Sequence, residues 1–197
     1  MNAGARRLRV LEWTAAPSGL FKTLLDVLPE EQVDYVLAVT DPELADRQAA
    51  ECQDQPAVRV LRTGEDEQAL RESLGAGRFD LIIYRHSLHL FADPHTEVDR
   101  ARRHLAGGGL LVIAERHPDW SAHLVEGLNP AWWVDTLADA GVAESGLVPV
   151  PAAPLWQPDA WRRLLDEAGL MHGTVWREPA AEDLAEGAYL VLAQCPD

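Results

Sequence analysis

Residues 11–19 read LEWTAAPSG. The apolar run LRVLEW (8–13) enters this stretch as a buried strand. PSGLFKTLLDVL (17–28) leaves it as a helix, with Leu20, Phe21, Leu24, Leu25 and Leu28 at helical spacing. Pro17 suits a first helical position, and Pro29 ends the segment. A tight turn from buried strand to helix is the opening half of a βαβ unit. Glycines often occupy such turns because they tolerate positive φ and let the backbone approach a ligand closely. Here Trp13, Thr14, Ala16, Pro17 and Ser18 hold those positions, and only Gly19 remains.

Outward from the turn, strands and helices alternate. VDYVLAV (33–39), AVRVLR (57–62), FDLIIYR (79–85) and GLLVIAE (109–115) read as strands. Residues 42–53, 65–74 and 93–105 read as helices, with Asp41 and Asp93 as N-caps and Pro94 at the first helical position. Gly107-Gly108-Gly109 precedes a strand and not a helix, so it reads as a helix stop and tight loop, not a phosphate cradle. A Trp- and Pro-rich stretch (116–158) interrupts the rhythm. A helix over 159–170 and strands over 171–178 and 188–195 follow, and AEDLAEG (181–187) is too short a link for a parallel crossover. The expected fold class is α/β. It is a Rossmann-like, seven-stranded, mostly parallel sheet with helices on both faces and an antiparallel C-terminal hairpin. One domain is expected over 1–197, with a core at 8–115, the insertion at 116–158 and the closing helix and hairpin at 159–197.

Composition narrows the function classes. The chain has 197 residues, 47% of them hydrophobic, and a formal net charge of −15. That charge argues against nucleic acid and against an anionic membrane surface. No apolar run approaches the ~20 residues of a membrane span, and the start lacks a secretory h-region. Cys52 and Cys195 are too isolated for a disulfide framework or a zinc knuckle, which points to the cytoplasm. Arg85 with Arg100, Arg102 and Arg103 is a local basic exception, read either as a solvated helix face or as a docking patch. His86 and His89 with Glu115 or His117 have no metal-binding motif spacing, so no metal site is expected.

Several segments in order resemble the C-methyltransferase domains of polyketide synthases and the related methyltransferase-like domains of fatty acid synthases. They are RVLEW...SGL (9–20), YVLAVTDPEL (35–44), FDLIIYRHSLHLFAD (79–93), HLAGGGLLVIAE (104–115), GLNPAWW (127–133) and PLWQPDAWRRLLDEAGL (154–170). The resemblance implies S-adenosylmethionine as cofactor, held by Glu12, Gly19 and Asp41, with Glu12 at its methionine (amino-acid) end. Asp41 lies near the ~20 residues past the glycine turn expected of a ribose-binding acid, although helix capping accounts for it equally well. The resemblance also implies His89 as general base, with Glu115 fixing its tautomer. Implied partners are an acyl carrier protein and neighbouring polyketide synthase domains. Trp132, Trp133, Trp156 and Trp161 are candidates for an acyl pocket or for packing.

The turn is where chain and family diverge. Thr14 is poorly suited to positive φ, Ala16 and Ser18 add Cβ atoms, and Pro17 removes an N–H. Together these changes predict a closed pocket and a domain that binds no S-adenosylmethionine. Two alternatives are an active C-methyltransferase acting on a β-ketoacyl thioester, and another small-molecule enzyme or binder reusing the fold and the His/Glu pair.

Overall fold

Neighbouring residues of the first strand enter opposite cores. In β1 (Leu8–Thr14), Val10 joins one apolar cluster and Leu11 the other, and both are fully buried. A strand covered on both faces requires this. The computed structural model describes residues 6–63, 72, 77–91, 93–118, 155–177 and 187–197. The further strands are β2 (Val33–Val39), β3 (Val58–Arg62), β4 (Phe79–Arg85), β5 (Leu105–Arg116), β6 (Met171–Arg177) and β7 (Ala188–Gln194). Their order is β3-β2-β1-β4-β5-β7-β6. Pairings among β1 to β5 are parallel, and β7 runs antiparallel to both β5 and β6. This is the expected seven-stranded sheet with its C-terminal hairpin.

Helices α1 (Leu20–Val27) and α2 (Pro42–Glu51) cover one face through Phe21, Leu44 and Ala45. Helices α3 (Pro94–His104) and α4 (Pro158–Glu167) cover the other through Val98, Ala101, Trp161 and Leu165. Asp41 and Asp93 cap α2 and α3 as expected, each accepting two backbone N–H groups. Trp156 stacks on Trp161 with centroids 4.4 Å apart. The Trp161 indole donates to the Tyr189 hydroxyl at 2.9 Å, and that hydroxyl donates to the Trp156 carbonyl. This pair is core packing. Sheet order reverses between β1 and β4, and open α/β sheets form their ligand crevices at such a switch.

Three local expectations are corrected. Helix α1 begins at Leu20 with Gly19 as N-cap, not at Pro17, because residues before it are tied elsewhere. The glycine triplet does not end a helix before a loop. It lies inside β5, where the pairing register to β4 jumps between Phe79 and Leu81. Gly108 has φ +72, and a Cβ on Gly109 would stand 3.0 Å from the Phe79 carbonyl, so a bulge explains both. Arg85 does not belong with the α3 arginines. It ends β4 in an ion pair, while Arg100 pairs with Glu97 at 3.0 Å. The helix expected over 65–74, the GLNPAWW segment and Trp132 and Trp133 lie outside the described residues, apart from Glu72.

Candidate functional site

A cleft of about 370 Å³ opens at the carboxyl ends of β1, β2 and β4. Trp13, Thr14, Ala15, Thr40, Asp41, Ser87, Leu90 and Phe91 line it. Trp13 does not fill it: its ring lies in the core, stacked on Tyr84 with centroids 5.4 Å apart and planes 2° apart. Nor does the turn adopt the strained form feared for it. Among the described residues only His86 and His172 are non-glycine residues at positive φ, so Thr14 is not left-handed. The expected closure by the turn itself is therefore corrected for this part of the crevice. Gly19 has φ −121, and a Cβ there would meet nothing within 4 Å.

Beside the cleft, Glu12 is fully buried. The Ser18 hydroxyl donates to its carboxylate at 2.7 Å, the Tyr35 hydroxyl at 2.5 Å and Arg85 Nε at 3.1 Å. Burial first, and the Glu12 charge second, push the Tyr35 hydroxyl far above its ordinary range, so it stays a proton donor. Arg85 Nη2 reaches back over the turn, donating to Thr14 Oγ1 at 3.2 Å, to the Ala16 carbonyl at 3.1 Å and to the Pro17 carbonyl. Ser18 N–H donates to Gln48 Oε1 at 2.8 Å. These bonds hold residues 16–18 out of α1. Strand parity explains the assembly: Glu12, Tyr35 and Arg85 all point to the α1 and α2 face, like Val10, Leu37 and Ile83.

The second polar group sits on the opposite face. Glu115, near the end of β5, is 1% exposed. His89 Nδ1 lies 2.9 Å from its Oε1, and His86 Nδ1 lies 3.7 Å from Oε2, too far for a hydrogen bond. Burial pushes the Glu115 carboxyl up, but the imidazoles of His86 and His89 outweigh it and hold the group below its ordinary value. With Glu115 ionised and acceptor-only, the proton in this contact lies on His89 Nδ1. His86 occupies φ +47, a conformation costing about 1–3 kcal/mol in a non-glycine residue. Its N–H is fixed on the Ala114 carbonyl at 2.9 Å.

Of the residues expected to act, His89 and Glu115 are brought together, and Ser87, Leu90 and Phe91 on either side of His89 line the cleft. Asp41 both lines the cleft and caps α2, with Oδ1 accepting from Glu43 and Leu44. Glu12 is enclosed, and Gly19 makes no close approach that a side chain would block. Among the described residues no cluster of three His, Cys, Asp or Glu side chains is arranged to hold a metal, and no helix is long and apolar enough to cross a membrane. Sequence reasoning missed Arg85, Tyr35 and Ser18 as partners of Glu12. The available signal was a lone cation closing the strand FDLIIYR after the apolar run Leu81–Tyr84, two residues beyond the Ile83 that pairs with Glu12.

Known proteins resemble this chain in sequence or in fold. Polyketide synthase PksR of Bacillus subtilis (strain 168) is 27% identical over 121 residues, which are 60% of this chain and 4% of that protein. Highly reducing polyketide synthase ALT1 of Alternaria alternata is 29% identical over 171 residues, 82% of this chain and 6% of that protein. The CurJ carbon methyltransferase structure superposes with a TM-score of 0.76 at 22% identity, covering 98% of this chain and 50% of that one. The trans-methyltransferase CalH, solved in complex with SAH, gives 0.69 at 22% identity, covering 96% of this chain and 51% of that one. The chain thus spans about half of those solved methyltransferases and a small fraction of the synthases. The family described as Methyltransferase domain matches over residues 9–172, from β1 through the start of β6, and to that family the chain belongs.

Proposed function

We propose that this is a methyltransferase-type domain of a polyketide synthase that does not bind S-adenosylmethionine and serves a structural role. The observation that carries this reading is the saturation of Glu12. The acid implied to hold the amino-acid end of the cofactor is fully buried and already takes three donors, one of them cationic. A ligand ammonium would have to displace Arg85, and two cations on one carboxylate repel in a low-dielectric site. The residues at this end therefore do not fit the cofactor, although the cleft beside Asp41 has the size of a small-ligand site. On this reading residues 1–197 act as one cytoplasmic domain whose partners are neighbouring synthase domains and an acyl carrier protein.

Calorimetric titration with S-adenosylmethionine and S-adenosylhomocysteine tests it. The expected result is no binding heat at millimolar ligand. Micromolar binding of either would overturn the reading.

A second reading has its own support. The 2.9 Å contact between His89 and Glu115 leaves an imidazole nitrogen able to take a proton, as a C-methyltransferase base must from the α-carbon of a β-ketoacyl thioester. S-Adenosylmethionine would supply the methyl group. Turnover of a β-ketoacyl carrier protein that is lost in His89→Ala would favour this reading over the first. Proton exchange at that α-carbon without a methyl donor would favour a different enzyme on the same fold.

A further inference from the structure

We infer that Arg85 sets ligand specificity at the cleft: as the built-in counter-ion of Glu12, it excludes ligands that bring their own ammonium group and leaves the cleft to uncharged ones. The inference rests on the reading above and names the residue responsible.

The argument starts from the acceptors. Glu12, Thr14 Oγ1 and the carbonyls of Ala16 and Pro17 converge on one guanidinium. Four acceptors around a single point, one of them an anion with no solvent exposure, describe a cation subsite. Ordinarily such a subsite at the edge of a ligand cleft would be filled from solution. Here the chain fills it, and Arg85 does so with a side chain only 24% exposed.

An in-chain cation has a large advantage over a dissolved one. It is held at high effective concentration and has lost much of its freedom on folding. Its planar fork also meets the acceptors together, which a compact ammonium cannot do. A dissolved ammonium ligand therefore competes poorly, while a ligand without that group has no quarrel with Arg85. What remains for such a ligand is the apolar wall of Trp13, Leu90 and Phe91 and the carboxylate of Asp41. Asp41 uses Oδ1 for capping, so Oδ2 can face a ligand hydroxyl.

The test compares two probes that differ only in the amino-acid tail. S-Adenosylhomocysteine carries it, and 5′-methylthioadenosine lacks it. Each is titrated into the wild-type chain, Arg85→Ala and Arg85→Gln. Arg85→Gln keeps an amide for the turn carbonyls but removes the charge, and so serves if Arg85→Ala does not fold. The expected result is a gain of about tenfold or more in S-adenosylhomocysteine affinity on losing the charge, with 5′-methylthioadenosine changing by about twofold or less. Millimolar methylguanidinium should also raise the melting temperature of Arg85→Ala and leave the wild type unmoved. Equal S-adenosylhomocysteine affinity in wild type and folded variants, or none in either, would overturn the inference. Tight binding to the wild type would instead sink the reading of a cofactor-free domain, and the ratio between wild type and variant would still decide the role of Arg85.

Discussion

Glu12 and Glu115 are both buried carboxylates at the carboxyl edge of one sheet, on opposite faces. Glu12 receives hydroxyls from Ser18 and Tyr35 and the guanidinium of Arg85, which never loses its charge. Glu115 faces two imidazoles, only one of them hydrogen-bonded, and its Oε2 has no hydrogen-bond partner among the described residues. The difference teaches that burial alone does not mark a reactive acid. A carboxylate whose lone pairs are taken by fixed donors is architecture. One held by imidazoles, with an oxygen still unpartnered, keeps a site for proton chemistry.

The comparison breaks most readily at Arg85. Arg85→Ala leaves a buried, unpaired Glu12 and should lower stability by about 3 kcal/mol, read as a shift in the urea midpoint. Adding Glu12→Gln should recover more than half of that loss, because the stranded charge is gone. If Arg85→Ala is neutral, the ion pair is only a surface contact. Next comes Tyr35→Phe, which removes one donor to a charged acceptor and should cost about 2 kcal/mol in the same assay.

Glu115→Gln should cost about 1 kcal/mol at neutral pH. Its sharper signature is acid dependence. The folded carboxyl titrates below its unfolded value, so folding binds fewer protons there. That stabilisation is complete above the ordinary glutamate pKa of about 4.3 and is lost as pH falls through the depressed folded value. Urea midpoints measured from neutral to acid pH should therefore converge for wild type and Glu115→Gln at the acid end. Parallel curves would remove Glu115 from the titrating set. The smallest effect belongs to Gly19→Ser. It sits at an N-cap with open space and negative φ, so it should gain about 0.3 kcal/mol in thermal unfolding. A loss would mean the glycine is needed for close approach after all.

The sheet was legible because its strands carry unbroken apolar runs and its helices carry marked caps. FDLIIYR and LLVIAE allow little but central strands, and Asp41-Pro42 and Asp93-Pro94 announce helices. The pairing of His89 with Glu115 was readable through the resemblance and emerged in contact. The start of α1 was not readable, because Pro17 is a good first helical residue locally, whereas its carbonyl is held by Arg85 from 68 residues away. The glycine triplet misled for a related reason. A bulge depends on the register of the neighbouring strand, and sequence periodicity says nothing about register. Likewise the closed turn was judged by the φ that Thr14 tolerates, while the backbone took a path that asks nothing unusual of it.

The Glu12–Arg85 pair also bears on which single substitutions this turn tolerates. Glycines at 14, 16 and 18 would leave Glu12 and Arg85 themselves unchanged, so the guanidinium keeps its carboxylate. Losing Arg85 first strands a buried anion in a chain whose whole margin is of the order of 5–15 kcal/mol. Losing Glu12 first strands the guanidinium in turn, so the two positions tolerate change together better than singly. Acid and arginine are therefore expected to substitute as a linked pair, each setting what the other position can accept.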